Sequence, residues 1–199
     1  DVCSSDLLYF GADAVYLGGK DFSLRSFADN FTDGEMKRAV ETAHAAGKKV
    51  YVTANIFARN ADFSALSDYF RFLSEIGADA ALVTDAGAFA AARAAAPNLK
   101  LHLSTQANTT NKYAAKFWYG EGAERVVLAR ELSVAEISEI RDFCPELQLE
   151  AFVHGAMCIS YSGRCLLSNY LAGRDSNRGE CVQACRWKYE VRAEGASCP

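Results

Sequence analysis

The sequence predicts an α/β protein: a parallel (β/α) barrel of the TIM type, incomplete at its amino end and followed by a cysteine-rich loop segment. Three observations carry this reading. Short apolar or β-branched runs alternate with segments of helical spacing from Ala14 to about Gly155, and such alternation builds right-handed βαβ units around a parallel sheet. Several runs are apolar almost continuously, as strands covered on both faces require. Polar residues gather just behind the runs, at Asn55, Asp85, Ser104, Gln106, Asn108, Arg130, Glu131 and His154. A barrel sets its strand ends around one mouth, where chemistry collects; each of these residues could equally cap the loop it stands in. An open doubly wound sheet is the competing architecture, and no Gly-x-Gly-x-x-Gly turn follows any strand to support its dinucleotide-binding form.

In chain order, Leu7–Gly11 reads as the tail of a helix that runs into a strand at Ala14–Leu17. A strand and most of a helix are therefore expected to be missing before it. Thr32 with Glu35 is a capping-box pattern, after which Met36, Ala39, Val40 and Ala43 mark one helix face and Gly47 ends it. Lys49–Ile56 is the next strand. Asp62 opens a helix with the stripe Leu66, Tyr69, Phe70 and Leu73, closed by Gly77. Ala80–Thr84, Leu99–Thr105 and Arg125–Leu128 follow as strands. Ser133 with Glu136 repeats the capping box before Ile137, Ile140 and Phe143; Pro145 stops that helix, and Leu147–Val153 is the last strand. The expected organisation is a partial barrel over 7–157 and a cysteine-rich segment over 158–192. Residues 1–6 are expected not to be native, and the chain to be a fragment at both ends.

Of 199 residues, half are hydrophobic and 23% charged, which is the composition of a globular protein. No apolar run approaches the roughly 18–20 residues of a membrane span; the small-residue stretch Ala86–Ala96 is interrupted by Arg93. Asp1–Asp6 has neither the basic nor the apolar region of a signal peptide, so a cytoplasmic protein without membrane partners is expected. The net charge of −4 excludes a broadly basic surface, but residues 158–192 carry six Lys or Arg against three acids. A basic patch on an acidic body suits a phosphate or part of an RNA, or is simply a solvated arginine-rich loop.

Seven cysteines are an awkward number for a disulfide framework. Four of them, Cys158, Cys165, Cys181 and Cys185, fall in the pattern C-x6-C-x15-C-x3-C, amid Gly, Arg and Ser rather than Leu and Val. Four thiolates there could saturate a tetrahedral zinc or a [4Fe–4S] cube. Zinc sites favour ligand pairs two to four residues apart, and only Cys181 and Cys185 meet that spacing. The spacing leaves both metals open.

The stretch from Glu150 to Tyr189 resembles the signature of the peptidase U32 (collagenase-like) family. It reads Glu-Ala-Phe-Val-His-Gly-Ala-Met-Cys, then Tyr-Ser-Gly-Arg-Cys-Leu-Leu-Ser, then Asn-Arg-Gly-Glu-Cys-Val-Gln-Ala-Cys-Arg-Trp. Gly11–Tyr16, Ser104–Asn108 and Leu128–Ser133 are similar to the barrel part of the same family. Cys185–Tyr189 and the Gln106-Ala107-Asn108 turn most resemble its branch of prephenate-dependent tRNA uridine hydroxylases, which convert the wobble uridine to 5-hydroxyuridine. The resemblance implies a [4Fe–4S] cluster on Cys158, Cys165, Cys181 and Cys185, a tRNA or other RNA partner, a prephenate-like small dicarboxylate, and a paired family subunit. The usual first strand, with its Ala-Pro-Ala-Gly turn, is missing.

For that activity the candidate catalytic residues are Arg130, His154 and Arg164, the two arginines as bidentate partners of a carboxylate in the barrel mouth. Gln106, Asn108, Arg174 and Arg178 are candidate substrate-binding residues. Tyr161, Tyr170, Trp187 and Tyr189, interleaved with arginines, offer stacking faces beside phosphate partners; Trp187 is expected instead to pack the segment onto the barrel. Proteolysis is the alternative activity, and a non-catalytic subunit of a hydroxylation complex a further one. Only His154 lies near a cysteine as a thiol peptidase would need, and no His-Glu-x-x-His occurs. His102, between Leu101 and Leu103, faces either the barrel mouth or the core.

Overall fold

A computed structural model describes residues 2–24 and 29–190; at 2–5 only the backbone is described. Asp1 and the end of the expected cysteine-rich segment, 191 and 192, lie outside the described residues. The elements are α1 (Val2–Tyr9), β1 (Ala14–Gly18), α2 (Asp33–Ala45), β2 (Lys49–Thr53), α3 (Phe63–Glu75), β3 (Ala80–Val83), α4 (Ala86–Ala95), β4 (Leu101–Leu103), α5 (Lys112–Gly120), β5 (Arg125–Val127), α6 (Val134–Phe143) and β6 (Gln148–Glu150). A short helix, α7 (Leu167–Ala172), and 3₁₀ turns at 161–163, 176–178 and 184–186 follow. No helix among the described residues is long and apolar enough to cross a membrane.

All strand pairs are parallel, and the sheet order is β1-β2-β3-β4-β5-β6. A doubly wound sheet reverses its strand order midway; this one never does, so it curls in one sense into a half-barrel with the helices outside. The outer layer is the main core. Val15, Leu17, Val50, Val52, Ala81, Val83, Leu101, Leu103 and Val126 alternate outward and meet Met36, Val40, Leu66, Phe70, Leu73, Phe89 and Ile140 from the helices. Phe70 is fully buried, and Phe70→Ala there removes about 3–5 kcal/mol. The inner face carries a separate, smaller apolar group of Tyr51, Ala80, Leu82 and Val127. Strand β3 is buried on both faces, which explains its uninterrupted apolar run.

Local sequence places all three of the expected helix starts, at Thr32, Asp62 and Ser133. Thr32 and Ser133 form reciprocal capping boxes with Glu35 and Glu136. Gly47 ends α2 with a φ of +68° that a side chain would strain. Asp62 stands at the N-cap of α3 but makes no side-chain cap bond, because its carboxylate is drawn to the Arg59 amide and to Arg178. Asp85 instead caps α4, accepting from the Ala88 amide, and Asn111 caps α5. The strands at Lys49–Ile56 and Leu147–Val153 stop early, at Thr53 and Glu150. Beyond those points the chain bends over the mouth of the half-barrel, and Phe152 and Val153 are exposed.

Candidate functional site: a cysteine-rich segment seated on the barrel mouth

The loops behind β2, β4 and β5 hold the segment that follows β6. Behind β4, Gln106 donates its Nε2 to the Gly163 carbonyl at 2.8 Å, while Arg164 Nε donates to the Gln106 carbonyl at 2.6 Å. Behind β5, Glu131 accepts the amide and the hydroxyl of Ser162 at 2.6 and 2.7 Å. Partial burial raises the Glu131 pKa, but these bonds outweigh it and hold the carboxyl below its ordinary range. Behind β2, the Phe57 amide donates to Asn177 O at 3.0 Å. Arg178 donates to Phe57 O at 2.7 Å and grips Asp62 with two nitrogens at 2.7 and 3.1 Å. That grip, with the Arg59 amide, holds the Asp62 carboxyl below the usual range. Arg59 reaches Asp175 at 2.7 Å, and the Arg164 guanidinium lies 4.8 Å from the Phe57 ring centroid.

Within the segment, polar side chains fix the backbone around the cysteines. Asn177 accepts the Cys165 amide and donates to the Cys165 carbonyl, which also receives the Ser176 hydroxyl. The Ser168 hydroxyl, on α7, accepts the Val182 amide and reaches the Cys181 sulfur at 3.9 Å. Two sulfurs accept the amide two residues on: Cys165 from Leu167 and Cys181 from Gln183, each at 3.3 Å. Cys158 Sγ lies 3.0 Å from Ser160 Oγ. Burial raises its pKa, but Ser160 and the nearby Arg130 guanidinium outweigh that and hold the thiol below its ordinary value. Cys158, Cys181 and Cys185 are exposed and Cys165 half-buried, all four as free thiols. The donor chemistry therefore suits thiolate ligation. Among the described residues, no three His, Cys, Asp or Glu side chains gather around one point that a single ion could occupy.

Of the expected catalytic residues, Arg130 and Arg164 come together around Gln106 and Gly163. His154 is exposed and bonds to none of them. Gln106 is buried in the seam, Asn108 follows it in left-handed backbone, and Arg178 is committed to Asp62 and Phe57. Arg174 is half-buried. Trp187, expected to pack inward, is 48% exposed, and Tyr161, Tyr170 and Tyr189 are exposed as well. Polar bonds seat the segment on the barrel, and these rings stay on its outside.

The interior of the half-barrel holds a polar group of which the sequence singled out only His102. His102 lies there, its ring edge against Tyr51 with centroids 4.7 Å apart. Arg125 lies over the Tyr51 ring at 5.0 Å and pairs with Glu150 at 3.2 Å, and Tyr16 donates to the same Glu150. The charged residues Arg125 and Glu150, set in strand-like runs, were the available signal. Burial, with Arg125 nearby, pushes the His102 pKa down to about 3.

Fold and site together define a TIM-type (β/α) scaffold that carries a thiol- and arginine-rich segment over its strand ends. The chain belongs to peptidase family U32, whose family model matches residues 3–197. It is 48% identical over 191 residues to tRNA hydroxylation protein P1 of Bacillus subtilis, covering 96% of this chain and 45% of that protein. It is 45% identical over 183 residues to tRNA hydroxylation protein P of Escherichia coli, covering 92% and 40%. The chain thus spans less than half the length of these relatives. A solved structure of the U32 peptidase Mk0906 superposes with a TM-score of 0.61 at 18% identity, over 75% of this chain and 63% of that one, which shows the shared fold.

Proposed function

We propose that this chain is part of a cytoplasmic iron–sulfur RNA-hydroxylating enzyme that converts the wobble uridine of tRNA to 5-hydroxyuridine, with a prephenate-like dicarboxylate as co-substrate. The carrying observation is the segment of four free thiols and exposed aromatic rings that polar bonds seat on the barrel mouth. Its near-complete coverage by relatives named for tRNA hydroxylation supports the same reading.

In this reading Cys158, Cys165, Cys181 and Cys185 hold a [4Fe–4S] cluster. The four thiolates would each bind a separate iron of one cube, and the spacing of the four cysteines leaves a tetrahedral zinc as the alternative occupant. With four cysteine ligands, the cluster would supply electrons rather than a binding site. Arg130 and Arg164 orient a carboxylate at the mouth. Tyr161, Tyr170, Trp187 and Tyr189 offer faces for unstacked bases, while Arg186 and Lys188, both exposed, attract the phosphates. Proteolysis finds less support, because the partners of Cys158 are Ser160 and Arg130 and not His154.

The test is made in cells that lack the full-length gene. Mass spectrometry of their tRNA shows loss of 5-hydroxyuridine, restored by the native gene and not by one with Cys158, Cys165, Cys181 and Cys185 replaced by alanine. Unchanged 5-hydroxyuridine in the deletion strain overturns the proposal. Restoration by the cysteine-free gene leaves a non-catalytic subunit.

A further inference from the structure

The serine that ends the run Cys165-Leu166-Leu167-Ser168 stands between two of the four cysteines. It lies in the first turn of α7, is 2% exposed, and its oxygen accepts the Val182 amide at 3.2 Å. A hydroxyl carries one proton, and that of Ser168 is directed at the Cys181 sulfur at 3.9 Å, a long bond to a large acceptor atom. Main-chain amides approach the same two cysteines: Leu167 donates to the Cys165 sulfur and Gln183 to the Cys181 sulfur, each at 3.3 Å. Gln183 does so from left-handed backbone, at a φ of +56°, and non-glycine residues in that region of backbone space collect at ligand clamps. Asn177 fixes Cys165 in turn, at 3.1 Å from its amide and 2.9 Å from its carbonyl. The first turn of α7 thus touches Cys165 through Leu167 and Cys181 through Ser168.

We propose that Ser168 is a positioning residue that sets the reduction potential of the cluster, by donating its hydroxyl proton to the Cys181 sulfur. The inference rests on the reading of the four cysteines as ligands of a [4Fe–4S] cluster, and adds a residue that is not itself a ligand. The couple is the one-electron one: the cluster gains one electron from an external reductant, its net charge falls by one, and no bond is made or broken. Hydrogen bonds to the sulfurs and solvent exposure both set the potential of such a cluster. A donor beside a sulfur stabilises the more negative, reduced state, so its loss lowers the potential. Water reaches Cys181, which is exposed, but not the buried place of the hydroxyl, so solvent does not replace the bond from that side. The amides of Leu167 and Gln183 belong to the main chain and stay in every variant. Of these three donors, Ser168 is the one that a substitution removes.

The experiment is a redox titration of the full-length protein, purified without oxygen, with dithionite as the reductant and the reduced cluster followed by electron paramagnetic resonance. Ser168→Ala is expected to retain about four irons per chain. It weakens reduction about threefold, a fraction of a hydrogen bond to a charged group, which at about 59 mV per tenfold for one electron is a fall of about 30 mV. Ser168→Thr, which keeps the hydroxyl, returns the potential to the native value. Where Ser168→Ala does not fold, Ser168→Thr and Ser168→Val, equal in shape and different by that hydroxyl, carry the same comparison. Equal potentials with and without the hydroxyl overturn the inference. So does iron lost from Ser168→Ala while the cluster that remains keeps the native potential, which is the result of a purely structural role. A native protein that binds no iron overturns the cluster reading, and this inference with it. A shifted potential in a protein that leaves tRNA unmodified overturns the proposed function only.

Discussion

Tyr16 on β1 donates its phenolic hydroxyl to Glu150 on β6, so the first and last strands of the sheet are tied through the interior of the half-barrel. Arg125 on β5 reaches the same carboxylate at 3.2 Å. The link holds β6 at the point where the chain leaves the sheet towards Cys158.

Tyr16→Phe removes this link and keeps the ring. It is expected to cost about 1–2 kcal/mol, the lower end of the scale of a hydrogen bond to a charged group because Tyr16 is 42% exposed, read as a lower midpoint in urea unfolding. Burial, with Glu150, raises the Tyr16 pKa, and burial raises that of Tyr69. An unfolded tyrosine loses its proton near pH 10 while these two keep theirs, so the unfolded state binds fewer protons above that pH. Stability therefore falls as pH rises beyond about 10, and Tyr16→Phe flattens part of the slope.

His102 gives the opposite limb. Its pKa lies near 3 in the fold and about 6.5 in the unfolded chain. Between those values the unfolded state takes up a proton that the folded state refuses, so stability drops as pH falls. At pH 5 the loss is about 2 kcal/mol. His102→Leu removes this component, and a urea series from pH 7 to 4.5 that keeps its slope in the variant contradicts the assignment.

Arg178→Ala breaks both the Asp62 pair and the bond to Phe57 O. The side chains of the pair are 25% and 18% exposed, and its loss is expected to cost about 2 kcal/mol locally. Limited proteolysis should then cut within 158–190 while the barrel's own thermal transition stays in place. A shift of the whole transition instead would mean that segment and barrel unfold together.

The full-length protein purified without oxygen is expected to hold about four irons and four sulfides per chain, with an absorbance shoulder near 400 nm. Cys181→Ala and Cys165→Ala remove most of the iron. Stripping iron with a chelator leaves the barrel's helical signal intact, because the outer core contains none of the four cysteines. Iron retained by both variants would move the cluster elsewhere.

Much of this was legible in the residues. Thr32, Ser133, Gly47 and Pro145 mark helix ends by rules that act over one turn of chain, and the apolar runs mark strands by a period of two or by continuous burial. Helices α4 and α5 were harder: alanines fill the first, and exposed aromatics such as Tyr113 and Phe117 blur the buried face of the second. The family signature fixed attention on the four cysteines. It gave no hint that the Asp62 carboxylate would hold Arg178 instead of capping its helix, because a cap and an ion pair ask for the same residue type.

The sequence by itself determined the alternating elements, the parallel order they imply and the kinship with family U32, since each depends on neighbours along the chain. Tertiary structure alone decided which polar groups meet. Tyr16 finds Glu150 across 134 residues, and Arg178 finds Asp62 across 116. No local pattern encodes such pairs. They exist because hydrophobic burial curls six strands in one sense, which brings charged residues into the interior and strand-end loops onto one rim.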